Sequence, residues 1–228
     1  VKVVIATPSL AGPTEPYVKA LAGSAPLIEA THEVRFVQEL GNPYISAARA
    51  TMLRKALDWP ADAIVFIDYD LSWRPQDLLT LIETPGEVVA GTYRFKKPDI
   101  EFMGGWFTDA AHRPVLRDDG MIRANRVPAG FLKVTTEAVD TFMRAYPELI
   151  YGARYAASVD LFNHGAIDGV WYGEDYAFSK RWVDKCGDIW IVPDLEIAHH
   201  GPDAAYPGNL HEFMMRQPGG AKEGQPWP

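Results

Sequence analysis

The five residues Ala63-Ile64-Val65-Phe66-Ile67 form an unbroken apolar run that empties directly into Asp68-Tyr69-Asp70. A strand with no polar alternation has both faces buried, which is the state of a strand inside a parallel sheet covered by helices on either side. The neighbouring segments keep the same rhythm. Val3-Val4-Ile5-Ala6 reads as a β-branched strand ended by Thr7-Pro8-Ser9, and 16–21 as a short helix closed by Gly23. Val34-Arg35-Phe36-Val37-Gln38 alternates as a strand. Ser46 is placed as the N-cap of a helix carrying Ala48, Met52, Leu53, Ala56 and Leu57, which Trp59-Pro60 stops. Pro75 suits the first turn of a helix with Leu78, Leu79 and Ile82 inward, and Glu87-Val88-Val89-Ala90-Gly91 is the next buried strand. Strands alternating with helices predict an α/β fold of three layers, α/β/α and Rossmann-like, around a mostly parallel central sheet.

After Tyr93 the rhythm breaks. Gly104-Gly105, Asp118-Asp119-Gly120 and Pro128 punctuate short runs that read as hairpins and loops, so the second half is irregular. Helices return at 136–146 and at 174–185, the latter with Gly187 as its C-cap. Ile189-Trp190-Ile191-Val192 and Leu195-Glu196-Ile197-Ala198 read as strands, and the second leads into His199-His200-Gly201. The sequence shows no repeat and no linker. A single domain over 1–216 is expected, with a first half at 1–93 and a second at 94–216. The Gly- and Pro-rich stretch 217–228 predicts a mobile tail.

Composition narrows the function classes. The 228 residues carry a net charge of −8, which argues against nucleic-acid binding by bulk charge. The one cysteine, Cys186, excludes an internal disulfide and fits a reducing, cytoplasmic setting. No apolar run is long enough for a membrane helix, and the N-terminal run is too short for a secretory leader. The chain has no phosphate-cradling G-x-x-x-x-G-K-[ST] loop, no G-x-G-x-x-G turn, no H-E-x-x-H helix and no G-x-S-x-G elbow.

Three constellations carry chemistry. Asp68 and Asp70 stand at the carboxyl end of a buried strand, where open α/β sheets bind ligands, and both can approach one hard cation such as Mg²⁺ or Mn²⁺. An acidic turn that merely solvates the strand end is the plainer alternative. Gly173-Glu174-Asp175-Tyr176 opens a helix, where carboxylates are favoured by the free N–H groups and the dipole, and where one of them can serve as a general base. His199-His200-Gly201 ends a strand. Adjacent strand residues face opposite ways, so one of the two imidazoles, with the choice open, can complete a cation site. Arg49 can reach a phosphate or form an ion pair. Gly130 marks a close backbone approach, either to a ligand or to a neighbouring strand. The mixed aromatic and basic run Tyr93-Arg94-Phe95-Lys96-Lys97 suits a sugar, a diphosphate, nucleic acid or simple solvation.

Taken in order, Val4-Ile5-Ala6-Thr7-Pro8, Ile45-Ser46-Ala47-Ala48-Arg49-Ala50, Ile64-Val65-Phe66-Ile67-Asp68-Tyr69-Asp70, Pro128-Ala129-Gly130-Phe131-Leu132, Gly173-Glu174-Asp175-Tyr176-Ala177-Phe178 and His199-His200-Gly201 resemble the GT-A class of nucleotide-sugar glycosyltransferases, in particular its small family-2-like members. The resemblance implies transfer of a sugar from a nucleoside-diphosphate sugar to an acceptor hydroxyl, with Mn²⁺ or Mg²⁺ as cofactor. It implies Asp68, Asp70 and His199 as metal ligands, with His200 the other candidate for the imidazole. Thr7, Pro8, Ser9, Arg49, Asp68 and Tyr69 fall on the donor side, and Gly130 and Trp171 on the acceptor side. In inverting members the second acid of the Glu-Asp pair is the base, here Asp175, with Glu174 positioning hydroxyls. A glycan, a protein or a modified nucleic acid would serve as acceptor.

Two other functions share parts of this pattern. A sugar-phosphate nucleotidyltransferase has a basic Gly-rich loop after the first strand, whereas Thr7-Pro8-Ser9-Leu10-Ala11-Gly12-Pro13 carries no basic residue. A non-catalytic, metal-dependent carbohydrate-binding module would use ring faces such as Trp73, Trp106, Trp171 and Trp190.

Overall fold

The computed structural model describes residues 1–152 and 157–216, so the tail expected at 217–228 lies outside the described residues. The first part of the chain runs β1 (Lys2–Ser9), α1 (Glu15–Glu29), β2 (Glu33–Leu40), α2 (Ile45–Asp58), β3 (Ala63–Ile67), β4 (Leu71–Trp73), α3 (Pro75–Glu83) and β5 (Val88–Ala90). The second part runs β6 (Gly105–Trp106), β7 (Ile122–Arg126), β8 (Phe131–Thr135), α4 (Thr136–Ala145), β9 (Ile150–Tyr151), β10 (Ser158–Val159), β11 (Gly165–Ile167) and β12 (Val170–Tyr172). It closes with α5 (Glu174–Lys185), β13 (Ile189–Ile191), β14 (Glu196–His200), β15 (Ala205–Asn209) and α6 (Leu210–Arg216).

Among the described residues the main sheet has eight strands in the order β2-β1-β3-β8-β5-β13-β7-β6. Strands β2, β1, β3, β5 and β13 run one way, β8 is reversed between β3 and β5, and β7 pairs antiparallel at the far side. Side-chain alternation divides the core in two. Val4, Ala6, Ile64, Phe66, Leu132 and Val134 face α2, α4 and α5. Val3, Ile5, Val65, Ile67 and Phe131 face α1 and α3. The expected three-layer α/β architecture is therefore present, and its mostly parallel sheet carries two reversed strands inside it, β8 and β7.

Several boundaries differ from the sequence expectation. β1 continues through Thr7, Pro8 and Ser9 because β2 pairs along its whole length, while β3 pairing stops at Ala6. Pro8 thus has a strand on one side only, where a missing N–H is tolerated. α1 does not stop at Gly23 but passes through it and through Pro26, starting from the Thr14 side chain, which accepts from the Tyr17 N–H. A Cβ at Gly23 would lie 3.3 Å from Pro75 Cγ, so the glycine serves close helix packing. α2 begins at Ile45, and Tyr44 rather than Ser46 takes the cap position, with no side-chain cap bond. α5 ends at Lys185 with Cys186 as cap, and Gly187 follows it with its N–H on the Trp182 carbonyl. No helix among the described residues is long and apolar enough to cross a membrane.

Beside the main sheet, β15, β14 and β4 form a small antiparallel sheet. It continues the chain that leaves β3 and brings the late histidines to the same edge. Register pairs His199 with Leu71 and Ala198 with Ser72.

Candidate active site

The site begins where β3 ends. Asp68 leaves the sheet with its N–H on the Gly130 carbonyl at 2.9 Å, so the strand end and the lead into β8 are tied together. A Cβ on Gly130 would fall 2.2 Å from the Tyr93 hydroxyl and 2.5 Å from Asp68 Oδ2. Of the alternatives open for this glycine, the close approach is to these two side chains, from the ends of β3 and β5.

Arg49 occupies the centre and is 2% exposed. Its Nη2 donates to Asp68 Oδ1 at 2.9 Å and its Nη1 to Glu174 Oε1 at 3.0 Å, and the guanidinium lies over the Phe162 ring. Burial works against the charge, but the two carboxylates outweigh it and raise the guanidinium pKa. The expected donor-side arginine therefore spends its fork on protein carboxylates. A planar, always-charged group suits such a bidentate bridge better than lysine would.

Asp175 follows Glu174 in the first turn of α5, with Oδ1 accepting from the Tyr176 N–H at 2.8 Å. Its carboxyl is pushed up to about 6, chiefly by burial and then by the neighbouring Glu174 charge, while the Tyr176 N–H and Arg49 pull the other way. A carboxyl with that value is mostly ionised at pH 7 yet more basic than an exposed aspartate.

Asp70 lies on the turn into β4 and is buried. His199 Nε2 faces its Oδ2 at 3.6 Å, and Lys96 Nζ contacts the same oxygen. Burial pushes the Asp70 carboxyl up, but the His199 and Lys96 contacts outweigh it and hold the group below its ordinary value. His199 Nδ1 sits 2.9 Å from the Arg94 carbonyl, which can only accept, so Nδ1 carries a proton and the ring is held with Nε2 toward Asp70. His200 points elsewhere, with Nε2 at 2.7 Å from Ser72 Oγ, and burial lowers its pKa. Of the two histidines, it is His199 whose ring faces Asp70.

A carboxylate oxygen and an oriented imidazole nitrogen are a donor pair that fits Mn²⁺ or Mg²⁺, and the carbonyl behind Nδ1 is the usual outer support of such a ligand. Asp68 is not gathered with them. Among the described residues no three His, Cys, Asp or Glu side chains come together to hold a metal ion. The residues that fit the ion are therefore Asp70 and His199, with Asp68 diverted to Arg49.

The other expected residues are placed as follows. Thr7 and Ser9 are buried; the Thr7 hydroxyl pairs with that of Tyr17, and Ser9 Oγ accepts from the Gly12 N–H at 2.8 Å. Pro8 lies between them in β1. The Tyr69 carbonyl accepts from Thr14, tying the Asp-Tyr-Asp turn to the start of α1. Trp171 is 73% exposed on the β11–β12 hairpin, two residues before Gly173. Sequence reasoning missed Tyr93 and the use of Lys96. Tyr93 is buried against the edge of His199 with centroids 5.0 Å apart, and burial together with the Asp68 charge raises its hydroxyl pKa well above 10.0. The mixed run 93–97 was the only trace of either.

A cavity of 250 Å³ is lined by Ile5, Thr7, Tyr17, Leu21, Phe36, Val37 and Gln38, between α1 and the β1–β2 pair. A larger one of 470 Å³, walled in part by Arg94, Phe102, Gly208 and Phe213, contains none of the expected site residues.

No protein-family model matches the chain, and no curated protein sequence matches it. In structure the chain is similar to GalNAc-T7 with UDP, GalNAc and Mn²⁺, at 11% identity and TM-score 0.47, over 87% of this chain and 43% of that one. It is similar to S. aureus TarS 1-349, at 11% identity and TM-score 0.46, over 84% of this chain and 58% of that one. The same TarS segment in complex with UDP-GlcNAc gives 10% identity and TM-score 0.44, over 93% of this chain and 61% of that one. The chain thus spans 43% to 61% of the length of these structures.

Proposed function

We propose that the protein transfers a sugar from a nucleoside-diphosphate sugar to an acceptor hydroxyl, by an inverting reaction with Asp175 as general base. The observation that carries this reading is the meeting of Asp68 and Glu174 on one buried Arg49 fork, with Asp175, pushed up to about 6, next in the chain. That arrangement joins the end of β3 to the start of α5 and leaves a carboxylate of raised basicity at their junction.

In the proposed reaction, Asp175 accepts the acceptor hydroxyl proton as that oxygen attacks the anomeric carbon. The bond from that carbon to the diphosphate oxygen breaks on the opposite face, and the nucleoside diphosphate leaves with the electron pair. Glu174, fixed by Arg49, orients hydroxyls beside it. Asp70 and His199 would hold a divalent cation, which supplies charge neutralisation for the departing diphosphate when bound. The Thr7–Tyr17 cavity under β1 and β2 would take the nucleoside, and Gly130 and Trp171 border the acceptor side.

A thermal-shift series with nucleoside-diphosphate sugars, with and without Mn²⁺, tests the reading. The matching donor is expected to raise the melting temperature only with the metal; ligand at a hundred times its Kd adds about 2.7 kcal/mol. Slow release of nucleoside diphosphate from that donor should accompany it. Stabilisation by no sugar nucleotide sinks the proposal, as does turnover of nucleoside triphosphate with a sugar phosphate.

A further inference from the structure

Residues after β5 turn back in a short hairpin, bridged at Arg94 and Phe102, with the Phe95 N–H on the Glu101 carbonyl at 3.0 Å. This hairpin does two things at Asp70. Its Arg94 carbonyl fixes the His199 ring so that Nε2 faces Asp70 Oδ2, and its Lys96 places an ammonium on that same oxygen. The next residue, Lys97, has no such role, since it pairs with Glu101 on the exposed side. One carboxylate oxygen is thus shared between the imidazole that would bind a divalent ion beside it and a side-chain cation.

A buried carboxylate needs a positive partner, because leaving its charge uncompensated is costly. Two cations at contact distance from one oxygen repel each other strongly, so ammonium and divalent ion exclude one another there. The lysine stem is long and half-buried, and it can swing to solvent without moving the strands. We propose that Lys96 is the resident counter-cation of Asp70, that a divalent ion must displace it to bind between Asp70 and His199, and that this competition sets the metal affinity of the site. The inference rests on the reading of Asp70 as a cation ligand. It gives the mixed run at 93–97 a function in that site.

Mn²⁺ alone is the probe, titrated into the full chain and followed by the loss of its free-ion electron paramagnetic resonance signal. Lys96→Met and Lys96→Gln are expected to bind Mn²⁺ about two to five times more tightly than the wild-type chain, the worth of one partly exposed ion pair. Lys97→Met should bind as the wild type does, and Asp70→Asn should abolish binding. Two lysine variants guard against one of them folding poorly, and far-ultraviolet circular dichroism verifies both. Unchanged or weaker binding in both, with Asp70→Asn still abolishing it, overturns the role of Lys96 and leaves the Asp70 reading standing. Binding that survives Asp70→Asn, or none in any variant, overturns the Asp70 reading and the lysine proposal with it.

Discussion

Asp175 illustrates what one residue contributes and what it costs. In the unfolded chain its carboxyl would release its proton near 3.8, whereas in the fold it does so at about 6. Between those values the native state binds a proton that the unfolded state has lost, so stability falls as pH rises through this window, and the full cost is present above it. A displacement of that size corresponds to roughly 3 kcal/mol. Asp175→Asn should therefore match the wild type near pH 4 and be more stable at pH 7, by up to that amount, in urea denaturation. Sugar transfer should be lost, and wild-type kcat/KM should rise with pH with a midpoint near 6. Equal stability of the two proteins at both pH values would remove the raised pKa from the account. The position of this acid was legible in the sequence, since Glu174-Asp175 stands behind a glycine at a helix start. Its environment was not, because Arg49 and Asp68 reach it from far away along the chain. The same holds for Arg49, whose partners Asp68 and Glu174 lie 19 and 125 residues off.

At the scale of elements, the strands and helices up to β5 follow from apolar spacing, and their errors are local. Gly23 was read as a stop because glycine weakens a helix by about 1 kcal/mol. Packing on Pro75 outweighs that, and spacing along one segment carries no information about a neighbour 52 residues away. Gly130 was read correctly as a point of close approach, without its partners. Gly130→Ala makes a direct test. The new methyl must displace the Tyr93 hydroxyl and Asp68 Oδ2, and overpacking of this kind costs about 1–3 kcal/mol. The melting temperature should fall, and stabilisation by the matching sugar nucleotide should fall further, because Asp68 is driven off Arg49. Full retention of donor stabilisation in a variant that does lose stability would show that the placement of Asp68 is unimportant.

At the scale of the whole molecule, Arg49 joins an early helix to the end of β3 and to the start of α5. Removing one member of a buried charged set leaves the others uncompensated, at about 3–5 kcal/mol. Arg49→Ala should lose that much in chemical denaturation, and Arg49→Lys should recover only part, since an ammonium cannot bridge both carboxylates with two parallel donors. A loss near zero for Arg49→Ala would mean the bridge does not hold the halves together. The net charge of −8 looks different in this light. Much of it solvates the surface, but Asp68 and Glu174 meet at this cation, with Asp175 beside them.

The reversed strand β8 has a consequence for how the chain assembles. It is hydrogen-bonded to β3 on one side and β5 on the other, yet it follows both in sequence, after a long excursion. While the ribosome is still making residues up to 135, β3 and β5 each carry a bare edge facing the gap that β8 will fill. Such edges pair readily with the wrong strand, and closing the gap requires contacts between distant parts of the chain, which slows folding. The first ninety or so residues, though they read as a complete repeating pattern, cannot finish their own sheet. The step that completes it also brings Gly130 against Asp68, so this edge of the candidate site cannot form before β8 is in place.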